Sequence, residues 1–304
     1  MTYYLQPAVL APPQPLRITR KEFEILADAR QKLTAGFPVE ESFDLLIGNY
    51  LELEQAALSI AASAMVHYRT EYHEFNEARA EINRRAVNFL TTARLYVDQV
   101  PQRVKACGHD NAFVRAAMNE SYNNRFEYRF MEALRNHVQH NGSAVHSLSL
   151  GGGWAPRGKR EWQEYAVAGY TLRHHLEQDP KFKKKVLNEC PKEVDFMLAA
   201  RVYLEELGRV HKLVRQTIDP TLKAARAAFD SAIMRYRRRS KSSAVGLTAY
   251  FKNKERIVTK VLVLVEWDNV RQRLEKRNGT LVNLSKRLVR SVPSWSSARA
   301  SGAG

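Results

Sequence analysis

The chain has 304 residues, 44% apolar and 10% aromatic, enough for one large or two modest folded domains and unlike a disordered polymer. Two cysteines, Cys107 and Cys190, exclude a disulfide framework and a cysteine metal site, and a reducing, cytoplasmic setting is expected. The net charge of +16 is uneven: residues 235–304 hold 17 Lys and Arg against 4 Asp and Glu, or +13, which leaves +3 for residues 1–234 and points to a polyanion as partner.

The first fifteen residues lack the basic start and continuous apolar core of a signal peptide. Residues 1–20 are proline-rich and are expected to run extended. Leu26, Ala27 and Ala29 in KEFEILADARQKL predict a short helix, and Pro38 followed by Glu40 and Glu41 reads as the start of a long one. Phe43, Leu46, Ile47, Tyr50, Ala57, Ile60, Ala61 and Ala64 recur there at helical spacing. A second long helix is predicted over 72–100, with Phe75, Ile82, Phe89, Leu90, Ala93, Tyr96 and Val97 as its stripe and Pro101 as its stop. A third starts near Asp110, a good N-cap, and runs to His140 through Phe113, Ala116, Ala117, Phe126, Phe130, Ala133, Leu134 and Val138.

After Gly142 the period changes. AVHSLSL and EYAVAGYTL alternate and are rich in β-formers, with GGGWAPRGKR as a long loop between them, so a β-hairpin is predicted near 144–172. GGGW lacks the Gly-Lys-Ser/Thr of a phosphate loop. His174 and His175 read as a turn or helix start, Pro180–Leu187 as a short helix, and the lysines of KFKKK as a solvated face, with tracking of a phosphate backbone as the alternative. A further long helix carries Phe196, Ala200, Tyr203, Leu204, Leu207, Val210 and Val214 on one side. Asp219-Pro220 kinks or restarts it, and it continues through Phe229 and Ile233 to RYRRRSK. RIVTKVLVLVEW then reads as a buried strand, DNVRQRLEKRNG as a helix closed by Asn-Gly, and SVPSWSSARASGAG as disordered. The apolar run VLVLV is far too short to span a bilayer, so no membrane partner is expected. The fold class is mainly α, an antiparallel helical bundle over 38–240 with the hairpin inserted. An N-terminal extension over 1–37 precedes it, and a basic C-terminal α/β module over 241–304 follows.

The stretch ALRNHVQHNG ends the third predicted helix. Asn136 and His140 are four apart and share a helix face; Arg135 sits about 100° round from Asn136, at the edge of that face. Histidine is the side chain best matched to proton transfer at neutral pH, which contributes about 10²–10⁴-fold to a rate. Arginine offers a planar fork of donors to phosphate oxygens, and asparagine can hold a phosphate oxygen or orient the imidazole. RNA cleavage without metal needs such groups: a base for the ribose 2′-hydroxyl, an acid for the departing 5′-oxygen and a cation for the phosphorane. His137 reads as packed or solvated. His137, His140 and His146 match no zinc spacing, so neither metal nor cofactor is expected.

RNHVQH resembles the signature of the HEPN superfamily: arginine, a polar residue, three more, then histidine. Arg135 matches the motif arginine, Asn136 its polar second position and His140 its histidine. The resemblance spans the signature and the helices around it, residues 40–235, and leaves the hairpin and the basic C-terminal part unexplained. It implies a helical-bundle, metal-independent endoribonuclease that works as a homodimer, the two motifs facing across a shared cleft. It also implies products with 2′,3′-cyclic phosphate and 5′-hydroxyl ends. Many members serve toxin–antitoxin or antiviral systems, where an inhibitory partner protein is a further expectation.

The basic run Arg235, Tyr236, Arg237, Arg238 and Arg239 suits RNA through phosphate contacts and aromatic stacking. The rival reading is a non-catalytic nucleic-acid-binding or regulatory helical protein, in which this segment is the functional part.

Overall fold

The structure, a computed structural model, describes residues 1–10, 12–67, 71–140, 142–157, 160–241, 243–253 and 256–289, with backbone alone for 155–157 and 160. The described residues are mainly helical and form two small antiparallel sheets. No helix among the described residues is long and apolar enough to cross a membrane. The tail SVPSWSSARASGAG lies outside the described residues. The chain divides into two compact units. Three long helices, α1 (Arg20–Val66), α2 (Tyr72–Ala106) and α7 (Phe196–Ser240), contribute residues to both.

The first unit comprises residues 1–45, 95–117 and 210–280. Its sheet has the order β2-β1-β6-β7, from Leu16–Ile18, Thr2–Pro7, Leu247–Asn253 and Arg256–Leu262. The N-terminal segment expected to run merely extended is thus a strand paired in register with β6: Tyr3 opposes Phe251 and Tyr4 opposes Tyr250. Both pairs stack, with ring centroids 4.8 and 5.2 Å apart, and such cross-strand aromatic contacts stabilise a sheet. The expected buried strand, β7, is instead an edge strand: Ile257 and Val258 are exposed, and Val261 and Val263 reach the core. Arg256 and Lys260 give it the charges that discourage further pairing. Leu5, Phe23, Leu26, Phe229, Tyr236, Leu247 and Ala249 fill the space beneath the sheet. Residues from the segments 1–37 and 241–304, which the sequence reading separates, therefore share one core. Helix α8 (Glu266–Arg277) ends at Asn278 as expected.

Pro38, Pro101 and Pro220 all lie inside helices rather than starting, ending or breaking them. An interior proline forfeits a backbone hydrogen bond at a cost of about 3 kcal/mol. Packing offsets it here: Val39, Phe43, Val100, Val104, Ile218 and Leu222, flanking the prolines, are all buried. The Pro38 carbonyl also accepts from the Arg103 guanidinium, and the Pro101 carbonyl from Asn111 Nδ2 at 3.2 Å.

A closed polar network crosses this core. Tyr96 Oη lies 2.9 Å from His211 Nδ1, and His211 Nε2 lies 3.4 Å from Glu40. Arg215 grips both Glu40 oxygens at 2.5 and 2.9 Å and donates to the Asn278 carbonyl at 2.7 Å. Phe43 stacks on His211 with centroids 3.8 Å apart.

The second unit comprises residues 46–94, 118–209 and 281–304. Its core is built from Tyr50, Leu53, Ile82, Phe89, Phe130, Leu134, Phe196 and Tyr203. The third predicted helix is two: α3 (Ala112–Asn124) and α4 (Phe126–His140), parted at Arg125. Arg129 explains the break. Its Nη1 donates to the carbonyls of Tyr122 and Asn123 at 2.7 and 2.8 Å, satisfying the open end of α3. Glu206 holds Arg125 itself at 3.1 Å.

The hairpin is present as β3 (Ser147–Arg157) and β4 (Arg160–Leu172), with β5 (Glu193–Asp195) added on β4. Its strands run through the three glycines expected in a loop, because Gly152 pairs with Tyr165, whose ring covers the space a side chain would need. The base of the hairpin is pinned to α2: the Asn83 amide pairs with both backbone groups of Val145 at 2.8 Å, and Arg79 Nη1 reaches the His146 carbonyl at 3.1 Å. The short helices α5 (Arg173–Glu177) and α6 (Lys184–Glu189) complete the unit.

Candidate active site

The apolar stripe of α4, Phe130, Ala133 and Leu134, buries one face of the helix, and at His137 that face meets a polar cavity. The last turn therefore splits its polar residues. Asn136 and His140 face solvent, while His137 continues the buried stripe. Arg135 is half-buried; its Nη1 donates to Asn136 Oδ1 at 2.8 Å, and its buried Nε has no hydrogen-bond partner among the described residues. Of the motif residues, Asn136 and His140 line a common cleft, and Arg135 reaches it only through Asn136. Asn136, His137, His140, Asp179 and Lys181 line one cleft of about 210 Å³.

His137 is not a solvated bystander. Its Nδ1 lies 2.8 Å from Asp179 Oδ2, and both side chains are buried. Asp179 is fixed in turn by the Lys181 amide, which donates to Oδ1 at 2.9 Å across Pro180. A carboxylate only accepts, so His137 carries a proton on Nδ1 and leaves Nε2 without that partner. Phe182 meets the His137 ring edge-on, with centroids 6.1 Å apart. The other side opens on a cavity of about 420 Å³ lined by Arg79, Ser143, His146, His175 and Gln178 as well as the pair itself.

That cavity is rich in imidazoles. His146 and His175 stack with centroids 4.4 Å apart, and His174 lies against His175 at 4.3 Å. His146 Nδ1 accepts from the Leu172 amide at 3.1 Å, which puts the proton of the neutral ring on Nε2. Burial first, then the neighbouring His175, His137 and His174 and the Arg79 guanidinium, push His146 down to about 4. Burial first, then His174, His137 and Arg79, lower His175. Among the described residues no trio of His, Cys, Asp or Glu is placed to hold a metal ion.

The basic run ends α7. Arg237, Arg238 and Arg239 are exposed, and Arg235 pairs with Glu22. Arg235, Arg238 and Arg239 border a groove of about 410 Å³ with Met234 and Ser231. Tyr236 is fully buried in the core beneath the sheet, so it has no face to offer a base, which corrects the expectation of stacking there. The signal lay in its spacing: Phe229, Ala232 and Tyr236 are three and four residues apart, on the buried stripe.

Sequence reasoning missed His137, Asp179, Lys181, His146 and His175 as members of this site. No protein-family model, curated protein or solved structure matches the chain.

Proposed function

We propose that the protein is a metal-independent endoribonuclease of HEPN type, built on a HEPN-like helical bundle. The observation that carries this reading is the last turn of α4. Asn136 and His140 open to solvent in one cleft with Lys181, and the Arg135 guanidinium is tied to Asn136 rather than lost in the core. Arg135 and Lys181 supply positive charge for the phosphorane, His140 exchanges a proton with the reacting oxygens, and Asn136 orients the guanidinium fork or holds a phosphate oxygen. Two copies of the chain, each supplying this cleft, make the working dimer, and toxin or antiviral defence is the setting the resemblance suggests.

The test is cleavage of RNA in excess chelator by wild type, Arg135→Ala and His140→Ala, with end-group analysis. Expected is cleavage by wild type alone, leaving 2′,3′-cyclic phosphate and 5′-hydroxyl ends. Wild-type rates in either variant reject the assignment. A second reading, a nucleic-acid-binding protein without catalysis, draws on the three exposed arginines closing α7. It expects steeply salt-dependent binding and no cleavage.

A further inference from the structure

Attack by a 2′-hydroxyl needs two proton transfers, and α4 of each copy carries, beside the exposed His140, a second imidazole in a different setting. His137 and His140 are three apart on α4, hence neighbours on the helix surface, and both line the cleft that Lys181 borders. They differ in kind. His140 is an exposed ring at a helix end. His137 is held by a buried carboxylate on one nitrogen and presents the other, Nε2, toward the cavity and Gly142. A carboxylate that fixes the tautomer and steadies the imidazolium is the arrangement a general base requires. Among the described residues the cavity has one carboxylate, Asp179, which is held by His137 and the Lys181 amide. The rest of the wall is Arg79, His146, His175, Ser143 and Gln178, all donors or cations toward an anion. The cavity, about 420 Å³, falls within the range of about 300–1,000 Å³ typical of small-molecule sites.

We propose that His137, positioned by Asp179, is the proton acceptor for the ribose 2′-hydroxyl, and that the cavity before it receives the attacking ribonucleotide. This rests on the ribonuclease reading above. The 2′-oxygen forms its bond to phosphorus as the bond from phosphorus to the 5′-oxygen breaks. The 2′-hydroxyl proton passes to His137 Nε2, and the 5′-oxygen takes a proton from His140. Asp179 is a positioning residue: it touches no reacting atom and acts through His137. Arg79, His146 and His175 face the ribonucleotide from α2, from the start of the hairpin and from α5, and His140 and Lys181 flank the cleft.

The experiment compares RNA cleavage by wild type, His140→Ala, His137→Gln and Asp179→Asn across pH. It is joined to imidazole ¹⁵N spectra titrated with a ribonucleoside 3′-monophosphate. An asparagine at 179 donates to Nδ1 and moves the ring proton to Nε2, so shape survives and the base is lost. Expected is a fall in kcat of about 10²–10⁴-fold for His137→Gln and Asp179→Asn. KM should stay within about threefold, the acidic limb of the pH profile should disappear, and wild-type spectra should hold Nδ1 protonated. The nucleotide should shift His137, His146 and His175. Wild-type kcat in His137→Gln, with His140→Ala inactive, overturns this inference and leaves the ribonuclease reading standing. No cleavage by wild type removes that reading and the base assignment together. The titration then decides the cavity alone: shifts in those three rings keep it as a ribonucleotide site, and unmoved signals discard it.

Discussion

Each unit of the protein buries a histidine against a carboxylate, and the two pairs have opposite characters. In the first unit both nitrogens of His211 are engaged, by Tyr96 and Glu40, and Phe43 lies flat on the ring. Burial keeps His211 below the usual imidazole range, and Arg215 neutralises Glu40. In the second unit Asp179 takes one nitrogen of His137, and the other side of the ring opens on a cavity of about 420 Å³. The chemical groups match, but the number of engaged nitrogens differs. A fully engaged ring is a packing element, and a half-engaged ring beside a polar cavity can do work. A buried histidine–carboxylate pair is therefore read by what its second nitrogen meets.

The largest expected effect breaks the closed pair. Arg215→Ala leaves Glu40 charged and buried with only His211 beside it. Removing one partner of a buried ion pair costs about 3–5 kcal/mol, so urea unfolding should show that loss. His137→Gln keeps a hydrogen-bonding group beside Asp179 and should cost less than half as much. Equal losses would erase the distinction between a structural and a functional pair.

Acid separates the two regions next. Burial alone would raise the Glu40 carboxyl, but the hydrogen bonds from Arg215 and His211 outweigh it and hold it at about 2, against 4.5 for an ordinary glutamate. The unfolded chain binds that proton first, so Glu40 contributes about 3 kcal/mol above pH 4.5 that is lost as pH falls toward 2. His146 acts higher: neutral in the fold down to about 4 and titrating at 6.5 when unfolded, it removes stability as pH falls from 6.5 to 4. Stability measured by urea titration should decline in two stages. His146→Gln should shrink the upper stage, which His175 and His211 share, and Glu40→Gln should erase the lower. A single stage unaffected by either variant would contradict both assignments.

The helices were legible in the sequence because their stripes are local: Phe43 to Ile60, Ile82 to Tyr96 and Phe196 to Val214 repeat at helical spacing and are buried where the spacing puts them. The sheet was not, since β1 pairs with β6 across more than 240 residues and nothing near Tyr3 announces Phe251. Proline and capping signals misled for the same reason. Burial around Pro38, Pro101 and Pro220 overrides the lost hydrogen bonds, and the break at Arg125 is held by the side chain of Arg129. At the site, Arg135, Asn136 and His140 could be read as a local pattern. Asp179 could not: it is 42 residues from His137, and only the fold brings them to 2.8 Å. The lysines of KFKKK are exposed, as a solvated face requires, and only the fold puts Lys181 at the cleft of His140.

The smallest effect tests whether the basic end of α7 joins in RNA handling. Arg237, Arg238 and Arg239 are exposed, and the pair Arg235–Glu22 holds the helix end against α1. If the three exposed side chains each neutralise one phosphate of a single strand, replacing all three with glutamine should flatten the slope of log K against log salt by about 2. The loss should appear in KM and leave kcat at saturating RNA unchanged, because these residues are not among those that line the cleft of His137 and His140. Affinity near physiological salt should fall by about 50-fold, under the effect expected of Asp179→Asn on turnover. A changed kcat would mean that the arginines act in the chemical step, and an unchanged slope would leave Lys181 beside the α4 cleft as the main phosphate contact. Lys181→Gln in the same assay separates those outcomes, since that residue alone of the basic set lines the cleft with His140.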